Sequence, residues 1–125
     1  MEIRRITAQG PESLDLFYTR MATDASSSKS GAAMLKLVDA LASQAPDRVV
    51  WGAANSQELM LLLSDDPRGR AFATIKARGP WYFIECAMSK STAPWPDAWV
   101  KGHTSDVQQA CGMLVVGWRW SQEAV

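Results

Sequence analysis

The chain has 125 residues, 47% hydrophobic and 21% charged, with 13 Lys plus Arg balanced by 13 Asp plus Glu. That length fits one domain with its own core, and the missing basic excess argues against a nucleic-acid partner, since phosphate binding runs on displaced counterions. No apolar run reaches the ~18 residues of a membrane helix, the opening MEIRRITAQGPESLDLF has no signal-like apolar stretch, and two cysteines are too few for a disulfide scaffold; the expectation is a cytoplasmic protein with reduced thiols and no membrane partner.

Gly10-Pro11 opens the first helix candidate, because Pro11 suits a first helical position where no N–H is needed. Leu14, Phe17 and Met21 follow at helical spacing. Residues 24–31, DASSSKSG, read as a loop, and Ser30 is placed to cap a second helix. Its apolar stripe is Met34, Leu37, Val38 and Leu41. Pro46-Asp47 ends it. RVVWGA, residues 48–53, reads as a short strand.

Residues 55–66, NSQELMLLLSDD, carry two signals. Asn55 with Glu58 resembles a helix capping box, yet the short apolar run leads into DDPRG, a good hairpin turn. The strand reading is favoured, with Leu59, Leu61 and Leu63 on one face. RAFATIKA and PWYFIECAM are clearer strands joined by a tight turn at Arg78-Gly79. In the second, Tyr82, Ile84, Cys86 and Met88 face one way and Trp81, Phe83, Glu85 and Ala87 the other. Both sets are largely apolar, which predicts a central strand covered on both sides. AWVKG is one more strand.

The last element is the most regular. Ser105 with Gln108 fits a capping box and Asp106 suits a helix N-terminus. Val107, Ala110, Cys111, Leu114, Val115 and Trp118 then recur at helical spacing. Gly112 and Gly117 weaken such a helix, and close approach to the sheet is the expected compensation. The predicted architecture is a single α+β domain over 1–125: an antiparallel β-meander of four to five strands, with two N-terminal helices and a C-terminal helix packed on it. Cys86 and Cys111 fall on apolar faces and read as buried thiols.

Catalytic constellations are sparse. His103 is the only histidine, and Ser105 and Asp106 beside it read better as caps than as partners in a triad, whose members must converge from different directions. There is no Cys-x-x-Cys, no pair of histidines and no calcium-loop pattern. Asp65-Asp66 read as turn formers, not metal ligands, and DDPRGR lacks the glycines of a phosphate loop. No metal or cofactor is expected. Glu85 is the polar side chain of an otherwise apolar strand, to be paired with Arg70, Lys76, Arg78 or Lys101 on a neighbouring strand.

The six tryptophans remain. Trp51, Trp81 and Trp118 fall on faces assigned to the core. Trp95 lies between Pro94 and Pro96, in a segment that the prolines hold extended, and Trp99 opens the next strand. Either Trp95 plugs the sheet edge, or it is displayed as a rigid contact for a partner.

Residues 82–121, YFIECAMSKSTAPWPDAWVKGHTSDVQQACGMLVVGWRWS, resemble the C-terminal part of small bacterial immunity proteins that accompany polymorphic or contact-dependent inhibition toxins. The similar features are a paired strand, the APWP turn, a V-x-G strand end and a final amphipathic helix. The resemblance implies a non-catalytic protein that binds one cognate toxin and blocks its active site or its activation. With zero net charge, contact would rest on shape and aromatic rings. Asp65 and Asp66 on a hairpin tip, Trp95, Trp99 and Glu85 are the candidate contacts. The alternative is a small-molecule-binding or enzymatic domain with a pocket between the sheet and the last helix, lined by Trp81, Phe83, Glu85 and Trp118. Near-zero net charge also offers little resistance to self-association, so a homodimer is a further expectation.

Overall fold

The chain enters the sheet earlier than its periodicity announces. In the computed structural model, which describes residues 1–44 and 46–123, a short strand β1 (Glu2–Arg5) precedes every predicted element. Its inward residue Ile3 is buried, together with Met1, while Glu2 and Arg4 stay in solvent. Four residues with charged outward positions make a weak pattern but a good edge strand, because charge discourages pairing with other chains.

A 3-10 turn (Thr7–Gln9) leads to α1 (Leu14–Thr23), then α2 (Ser28–Ser43). The strands β2 (Val49–Ala54), β3 (Leu59–Leu62), β4 (Ala71–Arg78), β5 (Trp81–Ala87) and β6 (Trp99–Thr104) follow, and α3 (Val107–Gln122) closes the order. The six strands lie in sequence order in one sheet; β1–β2 is parallel and every other pair antiparallel. The fold is thus α+β with the predicted helices, but the sheet is mixed and has one strand more than the expected meander. The parallel pair follows from the α1–α2 connection, which is long enough to return the chain to the end of the sheet where β1 began.

Local chemistry moves several boundaries. Ser13, not Pro11, starts α1, its hydroxyl accepting from the Leu16 N–H at 3.2 Å. The α2 helix begins at Ser28, ahead of Ser30, whose hydroxyl instead donates to the Ala77 carbonyl of β4 at 2.9 Å. Asp106 caps α3, its carboxylate accepting from the N–H groups of Gln108 and Gln109. Residues 59–62 are a strand. The capping-box look of Asn55 and Glu58 is an Asx turn, in which Asn55 Oδ1 accepts from the Gln57 and Glu58 N–H groups at 2.8 and 2.9 Å. Leu59 and Leu61 point into the core, whereas Leu63 lies past the strand end and is exposed.

All three helices pack on one face of the sheet. Leu14 and Tyr18 of α1, Met34, Leu37 and Leu41 of α2, and Ala110, Cys111 and Leu114 of α3 meet the inward residues of the strands. Gly117 is where α3 comes closest: a Cβ there would lie 2.6 Å from Cys86 Sγ. Gly112 has no such neighbour, so close approach accounts for one of these two glycines only. Both thiols are free and buried. Among the described residues, no helix is long and apolar enough to cross a membrane.

Candidate functional site

Strand alternation sends Tyr82, Ile84 and Cys86 of β5 beneath the helices, where all are buried. Trp81, Phe83 and Glu85 point the other way. Among the described residues no second layer covers that face: Trp81 is 43% exposed, Phe83 41% and Trp99 39%. This corrects the reading of β5 as a strand sandwiched on both sides and of Trp81 as a core residue. β6 is the neighbour of β5 within the sheet and covers neither face, and the described helices all pack on the opposite face.

Register builds the rest of the face. Across β4 and β5, Arg78 stands opposite Trp81, Lys76 opposite Phe83 and Thr74 opposite Glu85. Across β5 and β6, His103 stands opposite Phe83, Lys101 opposite Glu85 and Trp99 opposite Ala87. The His103 ring packs against both Trp81 and Phe83, with centroids 5.5 and 5.8 Å apart, and is stacked on the latter. Glu85 Oε1 lies 3.5 Å from Lys101 Nζ. The cross-strand ion pair expected for Glu85 is therefore present, with Lys101 as the partner, but in solvent and not in a core. A shallow concavity of about 160 Å³ lies among Lys76, Phe83, Glu85, Lys101 and His103.

The other sequence-picked contacts fall elsewhere. Trp95 is 66% exposed in the β5–β6 loop, so it does not plug the sheet edge. It borders a 430 Å³ groove with Arg70, Lys90 and Asp97. That loop is closed from within by the Ser89 carbonyl, which accepts from the Thr92 and Ala93 N–H groups, and Asp97 takes a left-handed φ of 60°. Arg70, at the end of the β3–β4 loop, reaches Asp97 at 3.6 Å. Asp65 spends both carboxylate oxygens on Thr7, accepting from its N–H and its hydroxyl at 2.9 Å each. Asp66 bonds within its own turn, to the Arg68 N–H at 2.9 Å. Of the five candidates, the structure unites Trp99 and Glu85 on one face and leaves Trp95, Asp65 and Asp66 on loops.

Trp81, Phe83, His103, Lys76 and Arg78 also belong to this face, though sequence reasoning did not select them as partner contacts. Alternation identified their common side, but nothing in the sequence distinguishes an apolar side that is covered from one that is not.

On the helix side, a cleft of about 530 Å³ lies between α3 and the β5–β6 end of the sheet. Ile84, Cys86, Val100, Met113, Val116 and Trp120 form its walls. A pocket between sheet and last helix was the expected alternative, but Trp81, Phe83 and Glu85 are on the opposite side of the sheet from it. Trp118 is engaged with the Arg48 guanidinium 4.9 Å above its ring. Cys86 is part of the cleft wall; burial pushes its thiol up to about 11 and raises Cys111, elsewhere in the core, as well, so both thiols stay protonated at neutral pH. Asp106, caught at the α3 cap, is not turned to His103. Among the described residues, no three potential metal ligands cluster. No protein-family model matches this chain, and neither a curated protein nor a solved structure does.

Proposed function

We propose that the protein is a non-catalytic binding protein, an immunity-type inhibitor that neutralises a cognate bacterial toxin by covering it with the open face of the sheet. One observation carries this reading: Trp81, Phe83 and Trp99 stand partly exposed on one rigid surface. Large rings held by a sheet lose little entropy on docking and bury much area, which is how interface anchors work. The resemblance of residues 82–121 to immunity proteins supplies the partner class. Lys76, Arg78 and Lys101 border the rings and only Glu85 opposes them, so the complementary toxin surface is apolar with an acidic rim.

Rings beside cations can also form a platform for single-stranded nucleic acid. Here His103 packs against both Trp81 and Phe83, leaving less ring surface free for a base to stack on, and the chain has no net charge, which favours a protein surface.

The test is co-expression with the toxic domain of any toxin found encoded beside this chain, followed by titration of the two purified proteins. Protection by the wild-type chain, lost in Trp81→Ala and Phe83→Ala variants that still fold, supports the reading. A wild-type chain that neither protects nor binds rejects the immunity function. Full protection by the variants rejects this face. Saturable, salt-sensitive binding of oligothymidylate, absent in the same variants, would replace the protein partner with a nucleic acid.

A further inference from the structure

We propose that β6 is a dimerisation edge. Two copies of this chain pair their β6 strands antiparallel about a two-fold axis at Val100, which joins two six-stranded sheets into one and covers the apolar floor of the cleft beside α3. Pairing uses the backbone rim of the sheet, so dimerisation and toxin binding stand or fall independently.

β6 is the last strand of the sheet, and among the described residues no strand flanks its outer side. Its ladder to β5 fixes which backbone groups are free. The Met88 N–H donates to the Ala98 carbonyl at 2.9 Å, and these two residues continue the register that sets Ala87 opposite Trp99. Met88 and Ala98 are therefore a hydrogen-bonded pair, and alternation makes Val100, Gly102 and Thr104 the β6 residues bonded to β5. Trp99, Lys101 and His103 turn their N–H and C=O groups outward. Such an edge is a template for another strand. β1, at the other rim, is blunted by the charges of Glu2 and Arg4, whereas β6 has no proline and no bulge, and its one permanent charge, Lys101, already has Glu85 3.5 Å away.

The helix side of the same strand is bare. α3 packs chiefly over β5 and β4, and Gly102 places no side chain between β6 and the helix. Val100 is left exposed on the floor of the 530 Å³ cleft, whose α3 wall is Met113, Val116 and Trp120. Joining two copies at β6 brings two such clefts edge to edge. The two Val100 side chains then bury one another on the shared floor, releasing water from apolar surface.

The side chains select a second copy and its register. With the axis at Val100, Trp99 of each copy stands opposite Lys101 of the other, ring beside cation, and the pair exchanges both backbone bonds. Val100 meets its own copy as a close, non-hydrogen-bonded pair, in which β-branched residues pack well. His103 comes level with Asp97 of the other copy. An axis at Lys101 would set two ammonium groups directly opposite. An axis at Gly102 would set glycine against glycine and spend Val100 on Thr104. With 13 positive and 13 negative side chains, the two copies carry no net repulsion.

Light scattering after size exclusion, loaded between about 1 μM and about 1 mM, tests this. The mass should rise to twice that of the monomer. Val100→Lys, which puts two cations on the axis, should hold the chain at the monomer mass, while its thermal melt at low concentration matches the wild type. Disulfide trapping reads the register. Non-hydrogen-bonded partners hold their Cα atoms about 4.5 Å apart, within disulfide reach. Val100→Cys should therefore oxidise to a covalent dimer about tenfold or more faster than Leu16→Cys, an exposed position on α1 towards the β1 end of the sheet. The native thiols are buried and do not compete. A wild-type chain that stays monomeric throughout overturns the proposal, as does a dimer that survives Val100→Lys. Equal oxidation of Val100→Cys and Leu16→Cys overturns the axis at Val100, and this comparison decides alone if Val100→Lys fails to fold.

Discussion

Glu85 of β5 and Lys101 of β6 stand directly opposite each other on the open face, with Oε1 3.5 Å from Nζ and both side chains substantially in solvent. A carboxylate that looked in sequence like a buried charge is a surface partner. Exposed ion pairs contribute ~0–1 kcal/mol. Glu85→Gln should therefore change unfolding free energy by about 0.5 kcal/mol or less, and a double-mutant cycle with Lys101→Met should give a coupling of the same order. A loss of several kcal/mol in urea denaturation would mean the pair is buried after all.

Trp81→Ala and Phe83→Ala should separate binding from folding. Interface rings of this kind lose about 2 kcal/mol or more of binding energy on truncation, roughly a 30-fold weakening. Their partly solvated side chains should cost the fold about 1 kcal/mol. Trp95→Ala should be milder still for stability, because that ring is 66% exposed. Titration against the proposed toxin partner, alongside thermal melts, reads both quantities.

The two glycines of α3 should respond with opposite sign. Gly117→Ala places a methyl 2.6 Å from Cys86 Sγ and 3.1 Å from its Cβ, so something in a packed site must shift. Overpacking of this sort costs about 1–3 kcal/mol. Gly112→Ala meets open space and should stabilise by about 0.5–1 kcal/mol through helix propensity alone. Equal effects at the two positions would refute the close contact at Gly117.

Burial of Cys86 has a consequence at high pH. Its thiol is raised from 9.0 to about 11 because a thiolate would lose its hydration in the core. The folded state thus holds the proton more tightly than the unfolded chain. The associated stability is fully present below pH 9 and is lost as pH rises through about 11. Urea midpoints should fall across that window, and Cys86→Ala should flatten the fall. Native protein at pH 7 should also resist iodoacetamide at this position, with rapid labelling only after unfolding.

Tyr18 is buried, and its hydroxyl has no hydrogen-bond partner among the described residues. Tyr18→Phe keeps the ring and removes a desolvated polar atom. Its stability should match the wild type or exceed it by about 1 kcal/mol. A clear loss in thermal melts would show that the hydroxyl is satisfied.

The elements legible in the sequence were those whose signal is local. Met34, Leu37 and Leu41 in α2, and Ala110, Cys111 and Leu114 in α3, repeat at the helical period and are all buried. The hairpin chemistry of DDPRG and of Arg78-Gly79 marked two turns; in the structure Arg78 still ends β4 and the second turn falls one position later, with Gly79 taking a φ of +57° that suits glycine. What escaped was short or long-range. The β1 strand has only four residues, and it is a strand because β2 lies alongside it, 47 positions later by register, where Glu2 meets Val49.

The sequence by itself determined that β5 carries Trp81, Phe83 and Glu85 on one side and Tyr82, Ile84 and Cys86 on the other, because backbone pleating imposes that alternation wherever the strand goes. Only the tertiary structure decided which side is core and which is surface. Three helices docked on the same face, and hydrophobicity, which has no direction, left the second apolar side open. The same placement set Gly117 against Cys86, left Gly112 beside an open cleft, and brought the His103 ring against Trp81 and Phe83, about 20 positions earlier in the chain.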